Sequence, residues 1–271
     1  SLPPAEIILV DSQSDDGTPA LAEQLGCRVI PIRRDQFRHG RARNWGAQAA
    51  RGNLLVFLTQ DALPASDSFL AELTRPLALG EAQAATARQC APSEADPLEI
   101  FARGFNYPPE SNRRCLSDLP SLGVKAFFFS NSASAVLSET FRELGGFSET
   151  VIVNEDMHFC ARLLRMGGCA AYTAEARVWH AHRYTLRSVL ARYFDIGVFF
   201  QDEQAVLAGA RAGGEGAHFA LSQLNFLLKT GAWGRIPAAL GQTAAKAAGF
   251  WLGRHSSSLP LRWKRSLSGQ K

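Results

Sequence analysis

LLVFLTQDALP, residues 54–64, is the stretch on which the fold turns. Its first five residues are apolar, and the run stops abruptly at Thr59, Gln60 and Asp61 before small and turn-forming residues. A continuous apolar run is what a strand covered on both faces needs, because neither side meets water. In an open α/β sheet the carboxyl ends of strands border the ligand crevice. A carboxylate at Asp61 therefore stands where a metal ligand or an acid–base group would stand. The other use of such an aspartate is to start a turn ahead of Pro64.

Working outward, the same alternation recurs. Residues 6–10, EIILV, read as a strand that runs into the polar loop DSQSDDGT. Thr18 is placed to cap a helix over 19–25, with Pro19 at its first position and Gly26 closing it. A strand over 28–32 and a helix over 41–51 lead into the stretch quoted above. After it come a helix over 66–79, with Phe69, Leu70, Leu73 and Leu77 on one face, and a strand over 82–88. Strands and helices alternating at this spacing predict an α/β fold with a mainly parallel central sheet. Residues 90–123 have weak periodicity and read as a mobile region with one short helix near 98–105, of the kind in which an acceptor docks. Short apolar runs at 127–130 and 133–137 precede a helix over 138–144. An amphipathic helix over 155–166 ends at Gly167 and Gly168, and strands are expected over 170–173 and 177–179. Beyond Leu186 the pattern is helical.

Composition is that of a globular chain: 271 residues, 46% hydrophobic and 20% charged. No apolar run approaches the roughly 18 residues that cross a bilayer, and no signal peptide opens the chain. The five cysteines (27, 90, 115, 160 and 169) include no C-x-x-C pair and leave an odd count, which predicts reduced thiols in a cytoplasmic protein rather than a disulfide framework or a structural zinc site. The net charge of +4 is uneven. From Gly231 onward there are Arg235, Lys246, Arg254, Arg262, Lys264, Arg265 and Lys271 and no acidic residue. Such a tail suits an anionic membrane surface; no recognition module accompanies the charge, so nucleic acid is not an expected partner.

Five constellations could carry chemistry. Asp11, Ser14 and Asp16 follow the first strand, where carboxylates and hydroxyls can meet the ribose or base of a nucleotide, or simply shape a turn. FRHGRARNWG, residues 37–46, sets Arg43 and Asn44 near a helix N-terminus, a favourable place for phosphate. Thr59, Gln60 and Asp61 form the third. Asn154, Glu155 and Asp156 open a helix after Gly145, Gly146 and Phe147; acidic residues are also good caps there. Finally, His180 and His182 in WHAH are alternate residues at a strand end, which puts both imidazoles on one face.

In this order, EIILVDSxSxDGT, HGxxRNxGA, VFLTQDAxP, LGGF followed by NED, and WHxH closely resemble glycosyltransferase family 2, and within it the rhamnosyltransferase-type members. The resemblance covers about residues 6–186. It implies a GT-A fold over 1–185, a helical region over 186–271, and transfer of a sugar, with inversion, from a nucleotide diphosphate to a hydroxyl of a bacterial surface-glycan or lipid-linked acceptor. By resemblance, Asp11, Ser14 and Asp16, with Arg43, Asn44 and Gln60, lie at the donor nucleotide. Asp61 matches the last acid of the family's D-x-D motif and, with His180 or His182, would hold Mg²⁺ or Mn²⁺ against the diphosphate. Asp156, in its pair with Glu155, matches the general base. A hard cation neutralises a diphosphate leaving group, and a base on the other side of the anomeric carbon takes the acceptor's proton.

The sequence departs from the family twice. Thr59 replaces the first acid of D-x-D, a pattern the rhamnosyltransferase-like members share. The family also has a further strand, turn and helix before EIILVD, so an N-terminally truncated domain lacking its first strand and helix is expected. Helices over 193–207, 218–228 and 236–252, followed by Arg262, Trp263, Lys264 and Arg265, suit peripheral contact with the inner face of the cytoplasmic membrane; packing on the catalytic core is the other use of those faces. Two further functions stay open: a nucleotidyltransferase, and a catalytically degenerate nucleotide-sugar-binding protein.

Overall fold

The computed structural model describes residues 3–182, 184–210 and 214–269. The elements in order are β1 (Ile8–Asp11), α1 (Thr18–Gln24), β2 (Arg28–Pro31), α2 (His39–Ala49), β3 (Leu54–Leu58), β4 (Leu63–Pro64), α3 (Phe69–Ala78), β5 (Ala84–Cys90), α4 (Pro97–Asn106), β6 (Asn112–Cys115), α5 (Leu119–Leu122), β7 (Ala133–Leu137), α6 (Ser138–Glu143), α7 (Glu155–Arg165), β8 (Cys169–Trp179), α8 (Leu186–Asp202), α9 (Glu215–Lys229), α10 (Ile236–Arg254) and α11 (Leu261–Leu267). The predicted elements are present, with shifted ends. Helix α1 is capped by Gly17 in the left-handed region rather than by Thr18, whose backbone N–H instead donates to the Asp16 carboxylate.

Strands β1 and β2 form a parallel pair of their own, and the central sheet runs β3-β7-β5-β8-β4, with β6 also on β8. Strands β5 and β8 are parallel, as strand–helix alternation requires, whereas β7 enters antiparallel between β3 and β5. The sheet is thus mixed, and mainly parallel describes it approximately. The two predicted strands over 170–179 are one, with a register shift opposite Ala87 and Arg88.

Both faces of the sheet carry core. On one, Leu55 and Phe57 of β3 meet Phe141, Phe147 and Phe159, with Phe147 centred about the group at ring distances of 5.1, 5.1 and 5.0 Å from Phe57, Phe141 and Phe159. On the other, Phe69, Leu73 and Leu77 of α3 cover the alanines of β5 and β7 and Val178 of β8. Each such side chain contributes about 1.5–3 kcal/mol by leaving water. Contrary to expectation, β3 is not buried on both faces: Val56 and Leu58 are exposed. The strand ends the sheet order, and alternation turns those two side chains away from the phenylalanine cluster.

The weakly periodic region holds more structure than its sequence shows. Besides α4 it contains β6, and the antiparallel register of β6 on β8 sets Cys115 opposite Cys169. The two form a disulfide with Cα atoms 4.4 Å apart, which corrects the expectation of five reduced thiols. A register between strands 54 positions apart leaves no mark in cysteine spacing. Cys27, Cys90 and Cys160 are free.

From Leu186 on, the described residues form helices. The α8–α10 crossing is close because Gly197, Gly249 and Gly253 lie in it, and a Cβ on Gly253 would overlap the Phe194 carbonyl oxygen. This region shares core with the rest of the chain: Phe199 and Leu207 join the phenylalanine cluster, and Leu227 and Ala239 pack with Leu98 of α4. Trp233, Trp251, Leu261 and Trp263 remain exposed. No helix among the described residues is long and apolar enough to cross a membrane. Lys271 of the basic tail lies outside the described residues.

Candidate active site

One strand register brings Asp61 to its histidines. Strand β4, which begins two residues after Asp61, pairs antiparallel with the end of β8, Leu63 opposite Trp179. His180 and His182, immediately past Trp179, therefore fold back beside Asp61. The Asp61 carboxylate oxygens lie 3.3 Å from His180 Nε2 and 3.7 Å from His182 Nδ1. One ligand atom from each residue falls within 4.8 Å of the others, the one such group among the described residues. Donor atoms around an ion bound at about 2.1 Å stand roughly 3–4 Å apart, so this set of one oxygen and two nitrogens fits a divalent cation.

The electrostatics agree. His180 is 5% exposed, and burial, followed by the charge of Arg103, takes its imidazole down to about 4, so the ring is neutral near pH 7. His182 is also lowered, chiefly by burial. For Asp61 burial acts to raise the carboxyl, but chiefly a hydrogen bond from the Thr59 hydroxyl leaves it below its ordinary value. Thr59 thus supports the carboxylate that remains of the acidic pair.

The second group is gathered by residues 130–132, none of which stands among the five constellations of the sequence. The backbone N–H of Asn131 donates to Asp156 Oδ2 at 3.2 Å, and the Ser132 carbonyl accepts from the Thr59 N–H at 3.1 Å. The Ser130 hydroxyl accepts from Gln89 Nε2 at 2.8 Å, and Gln89 Oε1 in turn lies 2.8 Å from His180 Nδ1. One short segment therefore bonds directly to Thr59 and Asp156 and reaches His180 through Gln89. Its only signal in the sequence was a break of small polar residues between two apolar runs. Asp156 follows Asn154, whose φ of 62° turns the chain sharply into α7. Burial, then the neighbouring Glu155 carboxylate, pushes the Asp156 carboxyl up to about 6. That is the range in which a carboxylate accepts and releases protons near neutral pH.

The remaining candidates take different places. Arg43 reaches Glu155 Oε1 at 2.8 Å and the His39 carbonyl at 3.2 Å, so much of its charge is already engaged. Asn44 has its amide engaged within the protein. It is buried, its amide exchanges hydrogen bonds of 2.9 Å with the Phe147 backbone, and it also donates to Glu149. Asn44 instead fastens α2 to the 146–149 turn, helped by Gly40, where a Cβ would overlap the Ser148 carbonyl. Asp11 is buried and accepts from the Ser14 N–H at 3.1 Å, closing the loop after β1. Asp16, exposed, has its carboxyl lowered by its hydrogen bonds with Thr18. Gln60 is exposed beside Asp61.

A mixed sheet with helices on both faces and a carboxylate–histidine group past its strand ends defines the GT-A class of nucleotide-diphospho-sugar transferases. "Glycosyl transferase family 2" matches residues 1–145. The chain is 40% identical over 270 residues to the O-antigen chain rhamnosyltransferase WbaN of Salmonella anatum, covering 99% of this chain and 85% of that one. It is 39% identical to the corresponding enzyme RfbN of Salmonella typhimurium, covering 99% and 86%. Among solved structures it resembles a mannosyltransferase of Pyrobaculum calidifontis in complex with GDP-mannose and Mn²⁺, with a TM-score of 0.53, 20% identity and coverage of 97% and 74%. The chain belongs to glycosyl transferase family 2 and is a glycosyltransferase.

Proposed function

We propose that the protein transfers L-rhamnose, with inversion, from dTDP-rhamnose to a hydroxyl of a growing O-antigen or a related lipid-linked surface glycan. The observation that carries this reading is that residues 130–132 bond to Thr59 and Asp156 and, through Gln89, reach His180, which stands 3.3 Å from Asp61. The rhamnose donor and the O-antigen acceptor follow from two relatives of about 40% identity over nearly the whole chain.

In this proposal Asp61, His180 and His182 hold Mn²⁺ or Mg²⁺, which would supply positive charge to the departing diphosphate. Asp156 takes the proton of the acceptor hydroxyl as its oxygen bonds to the anomeric carbon and the nucleoside diphosphate leaves on the other side. Burial, helped by the Glu155 carboxylate that is tied to Arg43, holds Asp156 high enough to accept that proton near neutral pH. Asp11 and Ser14 shape the loop facing the nucleotide, with Asp16 and Gln60 at its rim. Residues 1–185 form the catalytic unit of this proposal and 186–271 a helical region that braces it. Exposed Trp233, Trp251 and Trp263 among basic residues would rest that region on the inner, anionic face of the cytoplasmic membrane.

A panel of nucleotide sugars assayed for donor hydrolysis with Mn²⁺ or Mg²⁺ tests the reading. Release of dTDP from dTDP-rhamnose in preference to other donors is expected. Binding without release of nucleoside diphosphate from any donor would sink it and favour a degenerate binding protein.

A further inference from the structure

The group around His180 extends inward to residues that neither the family motifs nor the site roles above account for. Gln89, at the end of β5, is 2% exposed, and both ends of its amide are engaged. Its Oε1 accepts from the Arg103 guanidinium and faces His180 Nδ1, while its Nε2 donates to the Ser130 hydroxyl. Arg103 is held from α4 by Glu99, Nε to Oε1 at 2.7 Å, and the same Glu99 oxygen accepts from the His182 backbone N–H at 3.3 Å. Both histidines thus lean on one helix. That helix is capped by Asp96 and braced by the C-terminal region, where the Phe101 ring lies 5.2 and 5.4 Å from those of Phe219 and Phe226.

The hydrogen-bond chemistry of this relay leaves one arrangement. A guanidinium has donors only, so the Gln89 atom it meets is the carbonyl oxygen. Turning the amide over would set an NH₂ group against Arg103. The atom facing His180 is therefore an acceptor, and Nδ1 must carry the proton. In the neutral ring Nε2 is then a lone pair, 3.3 Å from an oxygen of Asp61. Two acceptors facing each other repel unless a proton or a metal ion lies between them, and ligating histidines commonly have their other nitrogen fixed in this way.

We propose that Gln89 and Arg103 are positioning residues of the candidate metal site, fixing His180 as the Nδ1–H tautomer so that Nε2 is presented beside Asp61. The role rests on the metal-site reading above; the tautomer does not. Long-range ¹H–¹⁵N correlation spectra of the metal-free protein, with His180 assigned from H180A, should show a protonated Nδ1 near pH 7.5. A neutral ring protonated at Nε2, with no proton on Nδ1, would overturn the proposal. Titration of Mn²⁺ followed by its electron paramagnetic resonance signal, without donor sugar, should show Q89L about 10–100-fold weaker than wild type. Q89E keeps an acceptor at that position and should stay within about threefold. Equal affinity of Q89L and wild type would overturn the positioning role alone. Failure of the wild type to bind Mn²⁺ would instead remove the metal reading on which the role depends.

Discussion

Arg43 and Glu155, one on α2 and the other opening α7, form an ion pair of 2.8 Å in which the two side chains are only 16% and 9% exposed. The pair joins the segment read as donor-binding to the segment read as catalytic. Removing one partner leaves a buried charge uncompensated, which costs about 3–5 kcal/mol, whereas replacing both with apolar residues of similar size costs less. R43M and E155M should each lower the chemical-denaturation midpoint markedly, and the double variant should recover much of the loss. Additive losses would show that the pair does not couple.

On the proposed base role, Asp156 sets the acid limb of activity. Its carboxyl, pushed up to about 6, must be ionised to accept a proton, so transfer should fall as pH drops through about 6. D156N should lose at least about 100-fold in rate, the low end for general-base assistance, while donor affinity is kept. Near-normal turnover would remove the base assignment.

The same shift has a consequence for stability. The folded state of Asp156 has a raised pKa, so between about pH 4 and pH 6 the folded protein holds a proton that the unfolded chain has released. The contribution of this group to stability therefore declines as pH rises through that window. In D156N this decline should disappear from a plot of unfolding free energy against pH.

For the Asp61 group, D61N and H180A should each weaken Mn²⁺ binding by more than about tenfold, at least the loss seen on disturbing supporting residues. H182A, whose side chain is 37% exposed against 5% for His180, should cost less. Calorimetric titration of metal into each variant checks the order.

The α8–α10 contact gives a test away from the chemistry. G253V would drive a side chain into the backbone at Phe194 and should destabilise the protein by about 1–3 kcal/mol, as overpacking does. A substitution at exposed Ala244 on the same helix should stay within about 0.5 kcal/mol.

The exposed tryptophans bear on membrane contact. Wild-type protein should float with anionic vesicles in a density gradient, and a W251A/W263A double variant should float less, because aromatic side chains anchor at the lipid interface. Equal flotation of the two would remove these tryptophans from the contact.

Much of this was legible in the chain. The apolar run 54–58, the alternation of strands with capped helices and the order of five motifs predicted the α/β fold. They also singled out Asp61, Asp156 and His180, because strand period, turn residues and helix caps are local properties. The same local signals missed β6, since residues 112–115 carry little apolar alternation, and they did not show that the Asn44 amide pairs with the Phe147 backbone. The sequence by itself thus determined which segments form elements and which side chains could do chemistry. Only the tertiary structure decided which of them meet. The pairing of Leu63 with Trp179 brought Asp61 to two histidines, and that of Cys115 with Cys169 made the disulfide. The end of β5 set Gln89 behind His180. Such registers are chosen by packing over the whole sheet, so no local stretch of sequence contains them.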